Sequence, residues 1–185
     1  MGDAAPNGVA PDWAARTAIS DVLALYCHAI DRRRWDLMDK CFHPDASFSF
    51  GPVEGTWREF VEIAKGMIDP LPLTHHQLGQ SAIVFDGERA SVETYLTATH
   101  RVPAGAASDG VFPGRGVDYH AVIAGRYVDR FERRDSQWRI ARRVGTIDWR
   151  HDHNLPADVP PFVPLQPDPA ADFSFPFAVN ASASA

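Results

Sequence analysis

The sequence predicts an α+β domain, with N-terminal helices packed on one face of a curved antiparallel sheet. Three observations carry this. Apolar residues recur every three or four positions between Trp13 and Ile30, the period of a helix buried on one side. From Leu73 to Trp149 the chain reads as long strands separated by turn signals. Helical signals come first and strands follow, an order that a βαβ architecture does not have.

The elements follow in order. Residues 1–12 lack periodicity and read as a disordered leader, with Asp12 placed to cap a helix. Ala15, Ile19, Val22, Leu23, Tyr26 and Ile30 then mark the buried face of the first helix, which Asp31 closes. A second short helix is expected from Trp35 to Phe42 and ends at His43-Pro44-Asp45. Ala46 to Phe50 alternates as a short strand, and Gly51, Pro52 and Gly55 bracket a turn. Thr56 and Glu59 form a capping box that opens a third helix, which stops before Asp69-Pro70.

Thr74 to Phe85 and Ala90 to Val102 are expected to pair through a type I′ turn at Asp86-Gly87. A Gly/Ala/Ser/Pro loop covers about 103–116. Tyr119 to Phe131 and Gln137 to Trp149 form a second hairpin through Arg134-Asp135-Ser136, and His151-Asp152-His153 falls in a polar turn beyond it. The domain therefore spans 13–153. Residues 154–185 hold 7 of the 15 prolines, 4 of the 11 phenylalanines and no Lys or Arg. That composition excludes a long helix, yet Phe162, Phe173, Phe175 and Phe177 are too apolar for a solvated tail. An arm laid over the body or over a neighbouring subunit is expected.

The chain has 185 residues, 45% of them apolar and 23% charged, which is the composition of one soluble globular domain. A net charge of -6 argues against nucleic acid as the main partner. No apolar run approaches the ~20 residues of a membrane span. The acidic start lacks a signal-peptide pattern, and a cytoplasmic location is expected. Cys27 and Cys41 are too few for a disulfide framework and read as reduced core thiols.

Three residues stand out for chemistry. His76 shares a strand face with Leu78, Ala82 and Val84, which points it to the apolar side, although a β-bulge could exchange it with His75. Asp31 lies at the edge of the first helix's apolar stripe. A carboxylate beside an imidazole fixes its tautomer and makes a general base suited to neutral pH. Of Arg142 and Arg143, one must face the core, where a guanidinium needs an anion from the protein or from a ligand. His100 shares its face with Val92, Leu96 and Ala98 and is a further polar group on that side. Arg32, Arg33, Arg34, Arg133 and Arg134 read as solvated charges at element ends. No metal site is expected, because His151-Asp152-His153 lacks a third spaced ligand.

Several strings resemble the SnoaL-like, NTF2-like superfamily. They are Leu25 to Asp36, Phe42-His43-Pro44-Asp45-Ala46, Gly55, Thr74 to Gln80, Asp86-Gly87 and Tyr127 to Arg143. The resemblance covers roughly residues 13–150 and implies a cystatin-like α+β cone. Within the superfamily the pattern is most similar to the scytalone dehydratases and the hexachlorocyclohexane dehydrochlorinases. That similarity implies an Asp31–His76 dyad for proton abstraction, with His100 and Arg143 as further catalytic groups. Departures from those families fall at Tyr26, Ile30, Phe48, Phe50, Gly125 and Tyr127. The dehydrochlorinases have a lysine at the position of Tyr26, and Tyr26 or Tyr127 is expected to replace the missing leaving-group machinery. Tyr127, Phe48, Phe50 and Ile147 are expected to line the pocket.

Two readings follow. One is a cofactor-independent lyase, of dehydratase or dehydrohalogenase type, or an isomerase acting on a hydrophobic cyclic substrate. The other is a non-catalytic ligand-binding or structural subunit, like the β subunits of ring-hydroxylating dioxygenases. There Asp31, His76 and Arg143 would form one structural network. A homo-oligomer, dimer or trimer, is expected to cover an exposed sheet face carrying Val122, Val128 and Trp138.

Overall fold

The computed structural model describes residues 12–156. The leader before Asp12 and almost all of the expected arm lie outside the described residues. Helix α1 (Trp13–Asp31) is followed by a 3₁₀ turn (Trp35–Leu37) and a short α2 (Met38–Cys41). Strands β1 (Phe42–Phe50) and β2 (Val53–Thr56) precede α3 (Trp57–Ile68). The long strands β3 (Leu73–Asp86), β4 (Arg89–Val102), β5 (Tyr119–Arg134) and β6 (Gln137–Asn154) complete the chain.

Six strands form one sheet in the order β2-β1-β6-β5-β4-β3. The pairs are antiparallel except β1 with β6, which is parallel. The sheet is therefore mixed rather than wholly antiparallel. β1 reaches the sheet from α2 and not from a hairpin with β6, so no tight turn sets its direction. β1 also starts four residues earlier than the sequence predicts. Pro44 is tolerated there because the β1–β6 register shifts between Phe42 and Ser47, where no ladder donor is needed. β2 is a strand that the sequence reading places in a turn.

α1 buries Ala15, Ile19, Leu23, Tyr26 and Ile30 of the predicted stripe, with Cys27 in addition, while Val22 is half-buried. Ile19, Leu23 and Ile30 each contribute about 1.5–3 kcal/mol by leaving water. α3 carries the predicted capping box, with Thr56 and Glu59 bonding each other's backbone N–H. Cys27 and Cys41 are free and buried, and burial pushes both thiols up to about 12.

The hairpins differ in their turns. β3 and β4 turn on Gly87-Glu88, with Asp86 paired to Arg89. Gly87 alone has positive φ there, at 57°, as a type II′ turn requires, so the turn sits one residue later than expected. Asp135 (φ 50°) and Ser136 (φ 63°) both lie in the left-handed region, the type I′ pattern, here without glycine.

β3 carries a bulge between Leu78 and Ser81. His76 and Leu78 share the inner face as predicted. Beyond the bulge that face passes to Ser81, Ile83 and Phe85, so Ala82 and Val84 turn outward. β6 runs on to Asn154, which places His151-Asp152-His153 within the strand. On the outer face Val128 is exposed and Val122 half-buried, but Trp138 is buried against Phe85. A bulge between Arg130 and Phe131 sets Trp138 and Ile140 on the inner side.

Candidate active site

The site begins at the end of α1. Arg33 takes φ 54°, and two reversed hydrogen bonds close the helix. Arg34 N donates to Ala29 O at 2.8 Å and Arg33 N to Ile30 O at 3.1 Å, which is a Schellman motif without glycine. The Arg33 side chain then donates to the carbonyls of Ile68, at 3.0 Å, and Leu71. It is thus a clamp between the end of α1 and the segment leading into β3, not a solvated charge.

This clamp brings Asp31 against β3. The Asp31 carboxylate accepts from His76 twice, from Nδ1 at 2.7 Å and from the backbone N–H at 2.8 Å. β3 is an edge strand, so that N–H has no strand partner on its outer side, and the carboxylate supplies one. With Nδ1–H committed to Asp31, the lone pair of the neutral imidazole sits on Nε2. No described residue hydrogen-bonds Nε2.

His100 stands beside the pair, its ring 5.5 Å from that of His76 and edge-on to it. Its Nδ1 lies 3.0 Å from the Thr74 hydroxyl, its register partner on β3. Phe112, from the loop after β4, packs on it at 4.6 Å. Burial pulls His100 down to about 3, helped by the nearby His76 and Arg150, so it is neutral at physiological pH.

Arg143 is elsewhere. It is fully buried and pairs with Asp129 directly across β5–β6, through bonds of 2.8 and 2.7 Å. Burial opposes its charge, and the Asp129 carboxylate more than offsets that, so the guanidinium is held above its ordinary value. Tyr26 and Tyr127 flank it from two adjacent sides, their ring centres 4.1 and 4.0 Å from Cζ and the two rings edge-on to each other. Burial pushes Tyr26 up to about 12 and Tyr127 well above its ordinary value, so both phenols stay protonated. Arg143 Nη1 is buried without a hydrogen-bond partner.

The predicted residues therefore fall into two groups. Asp31, His76 and His100 meet at one site. Arg143, Tyr26 and Tyr127 form a separate buried cluster with Asp129, next to Phe42. Phe48 is buried and stacks on Phe60 with centroids 3.6 Å apart. Phe50 is half-buried, and its ring occupies the place a side chain on Gly145 would need. Ile147 is paired with Gly125 on the inner face and is 49% exposed. Sequence reasoning missed Asp129, Thr74 and Phe112. Asp129 had a signal: it interrupts an otherwise apolar inner row that includes Ala121, Ile123, Tyr127 and Phe131.

The SnoaL-like domain family matches residues 11–144. An uncharacterised protein of Mycobacterium tuberculosis strain H37Rv is 31% identical over 134 residues, covering 71% of this chain and 84% of the relative. The chain belongs to the SnoaL-like family. Its fold is shared with the hexachlorocyclohexane dehydrochlorinase LinA-type3 of Novosphingobium barchaimii. The TM-score is 0.66 at 16% identity, covering 80% of this chain and 96% of that one. A scytalone dehydratase-like protein of Novosphingobium aromaticivorans aligns with a TM-score of 0.62 at 20% identity, over 77% and 90% of the two chains. At these identities the likeness establishes the cystatin-like α+β cone of the SnoaL-like proteins and no more. Among the described residues, no helix is long and apolar enough to cross a membrane, and no group of three or more His, Cys, Asp or Glu is arranged to hold a metal ion.

Proposed function

We propose that this SnoaL-like protein is a small-molecule lyase or isomerase that works by proton abstraction from carbon. The observation that carries the reading is the double contact of Asp31 with His76. It leaves Nε2 as a lone pair on an oriented imidazole. In an elimination, Nε2 takes the proton, the C–H electrons form the new double bond, and the leaving group departs with its bonding pair. In an isomerisation, the proton returns to a different carbon. The developing negative charge needs a hydrogen-bond donor. His100 is neutral and adjacent, and it donates through Nε2–H when Thr74 donates to its Nδ1. Arg143 does not serve, because Asp129 already neutralises it away from His76. Tyr26 and Tyr127 are turned to that same buried pair. The substrate is hydrophobic and cyclic, in keeping with the apolar inner face of the cone.

The test is exchange of carbon-bound hydrogen in D₂O, followed by proton NMR over a panel of cyclic ketones and cyclohexyl halides. The wild type is expected to exchange or eliminate at least one, and His76→Ala none. Exchange that persists in His76→Ala, or a panel untouched by the wild type, would contradict the reading.

A further inference from the structure

We infer that the substrate is a hydrophobic carboxylate whose anionic head is held by Arg150. This rests on the proton-abstraction reading of the same site, which it extends to substrate class.

The register carries the argument. His76, Ala98, Ile123 and Arg150 are successive partners across β3, β4, β5 and β6. Directly paired residues project to the same side of a sheet, and Ala98 and Ile123 are buried on the inner side. Arg150 rises from that side too. Its guanidinium lies 5.6 Å from the centre of Phe112, the ring that packs on His100, and it donates to Val111 O at 2.7 Å. Between the base and the guanidinium the row offers only Ala98 and Ile123, an apolar floor. The adjoining row on one side presents His100, Ala121 and, beside Arg150, Asp152. On the other it presents Leu96, Gly125 and Ile147. Three strand spacings of about 4.8 Å separate His76 from Arg150, roughly 14 Å between backbones. That span accommodates a molecule of about two fused rings lying across the strands.

Charge then fixes which end goes where. Asp152 accepts from Arg150, at 2.7 and 3.0 Å, and also from Arg115. Two guanidinium groups share one carboxylate, so this trio keeps one positive charge. Asp118, at the end of the loop that carries Phe112, is engaged by Arg101 and by the Ala104 N–H. At the far end the Asp31 carboxylate stands behind His76. An anionic head is therefore drawn to Arg150 and repelled from Asp31, which delivers the acidic carbon to Nε2.

The experiment is calorimetric titration of the full chain with 2-naphthoate and with its neutral methyl ester. The wild type is expected to bind the acid at least tenfold more tightly than the ester at low ionic strength, with the preference shrinking as salt is added. Arg150→Met should abolish the preference, and Arg150→Lys should retain most of it. Circular dichroism checks that both variants fold. His76→Ala should keep the preference, which separates this inference from the catalytic reading: acid-selective binding with no carbon exchange on any probe would sink the chemistry and leave the head-group assignment standing. Equal binding of acid and ester, an unchanged ratio in Arg150→Met, or no saturable binding of either probe overturns the inference.

Discussion

Asp31 grips His76 by both its side chain and its backbone, with one carboxylate oxygen on Nδ1 and the other on the main-chain N–H. Together the two contacts fix the ring's position along β3 and its tautomer, while the Schellman turn at Arg33 fixes the carboxylate.

The Arg33 turn has a testable cost. Arg33→Gly and Arg33→Ala both lose the bonds to Ile68 and Leu71, but only alanine keeps the strain of φ 54°. Arg33→Gly should be more stable than Arg33→Ala by about 1–2 kcal/mol in urea unfolding. Both should be less stable than the wild type.

The buried Arg143–Asp129 pair should behave as structure. Arg143→Met leaves Asp129 buried and unpaired, at a cost of about 3–5 kcal/mol. Arg143→Met combined with Asp129→Leu should cost clearly less than the two single changes together. A double-mutant cycle in urea checks this, and simple additivity would refute the pairing.

His100 should make stability depend on pH. Its folded value of about 3 lies below the ordinary 6.5, so the unfolded chain binds the proton more readily. The stabilisation is complete above pH 6.5 and is lost as pH falls from there toward 3. His100→Gln should flatten the fall in the urea midpoint between pH 7 and pH 5. An unchanged slope would mean that His100 is not the group responsible.

Gly145 faces Phe50 across the parallel β1–β6 pair, and a Cβ there would stand 2.1 Å from the ring. Gly145→Ala should destabilise by about 1–3 kcal/mol through overpacking. Adding Phe50→Leu should recover part of that loss in thermal unfolding.

Short-range patterns made much of this legible. The helical stripe placed Asp31 at the edge of the core. Strand alternation put His76 and His100 on the inner face, and it required one of Arg142 and Arg143 to point inward. What the sequence hid depends on pairing between distant segments. β1 joins β6 in parallel with no local signal. The bulge after Leu78 reverses which of Val84 and Phe85 faces in. Arg143 finds Asp129 rather than Asp31 because the β5–β6 register sets Asp129 directly opposite it. Arg150 went unnoticed because β6 was expected to end at Trp149, which left the residues beyond it in a turn rather than in the row that contains His76.

The central claim is that Asp31 holds His76 as an Nδ1–H tautomer with a free Nε2 lone pair. The most direct measurement is a long-range ¹H–¹⁵N correlation spectrum of the imidazole nitrogens at neutral pH, with His76 assigned by His76→Gln. The expected result is a protonated Nδ1 and an unprotonated Nε2 in the wild type, with that preference lost in Asp31→Ala. A His76 signal of the Nε2–H tautomer, or one indifferent to Asp31→Ala, would contradict the account.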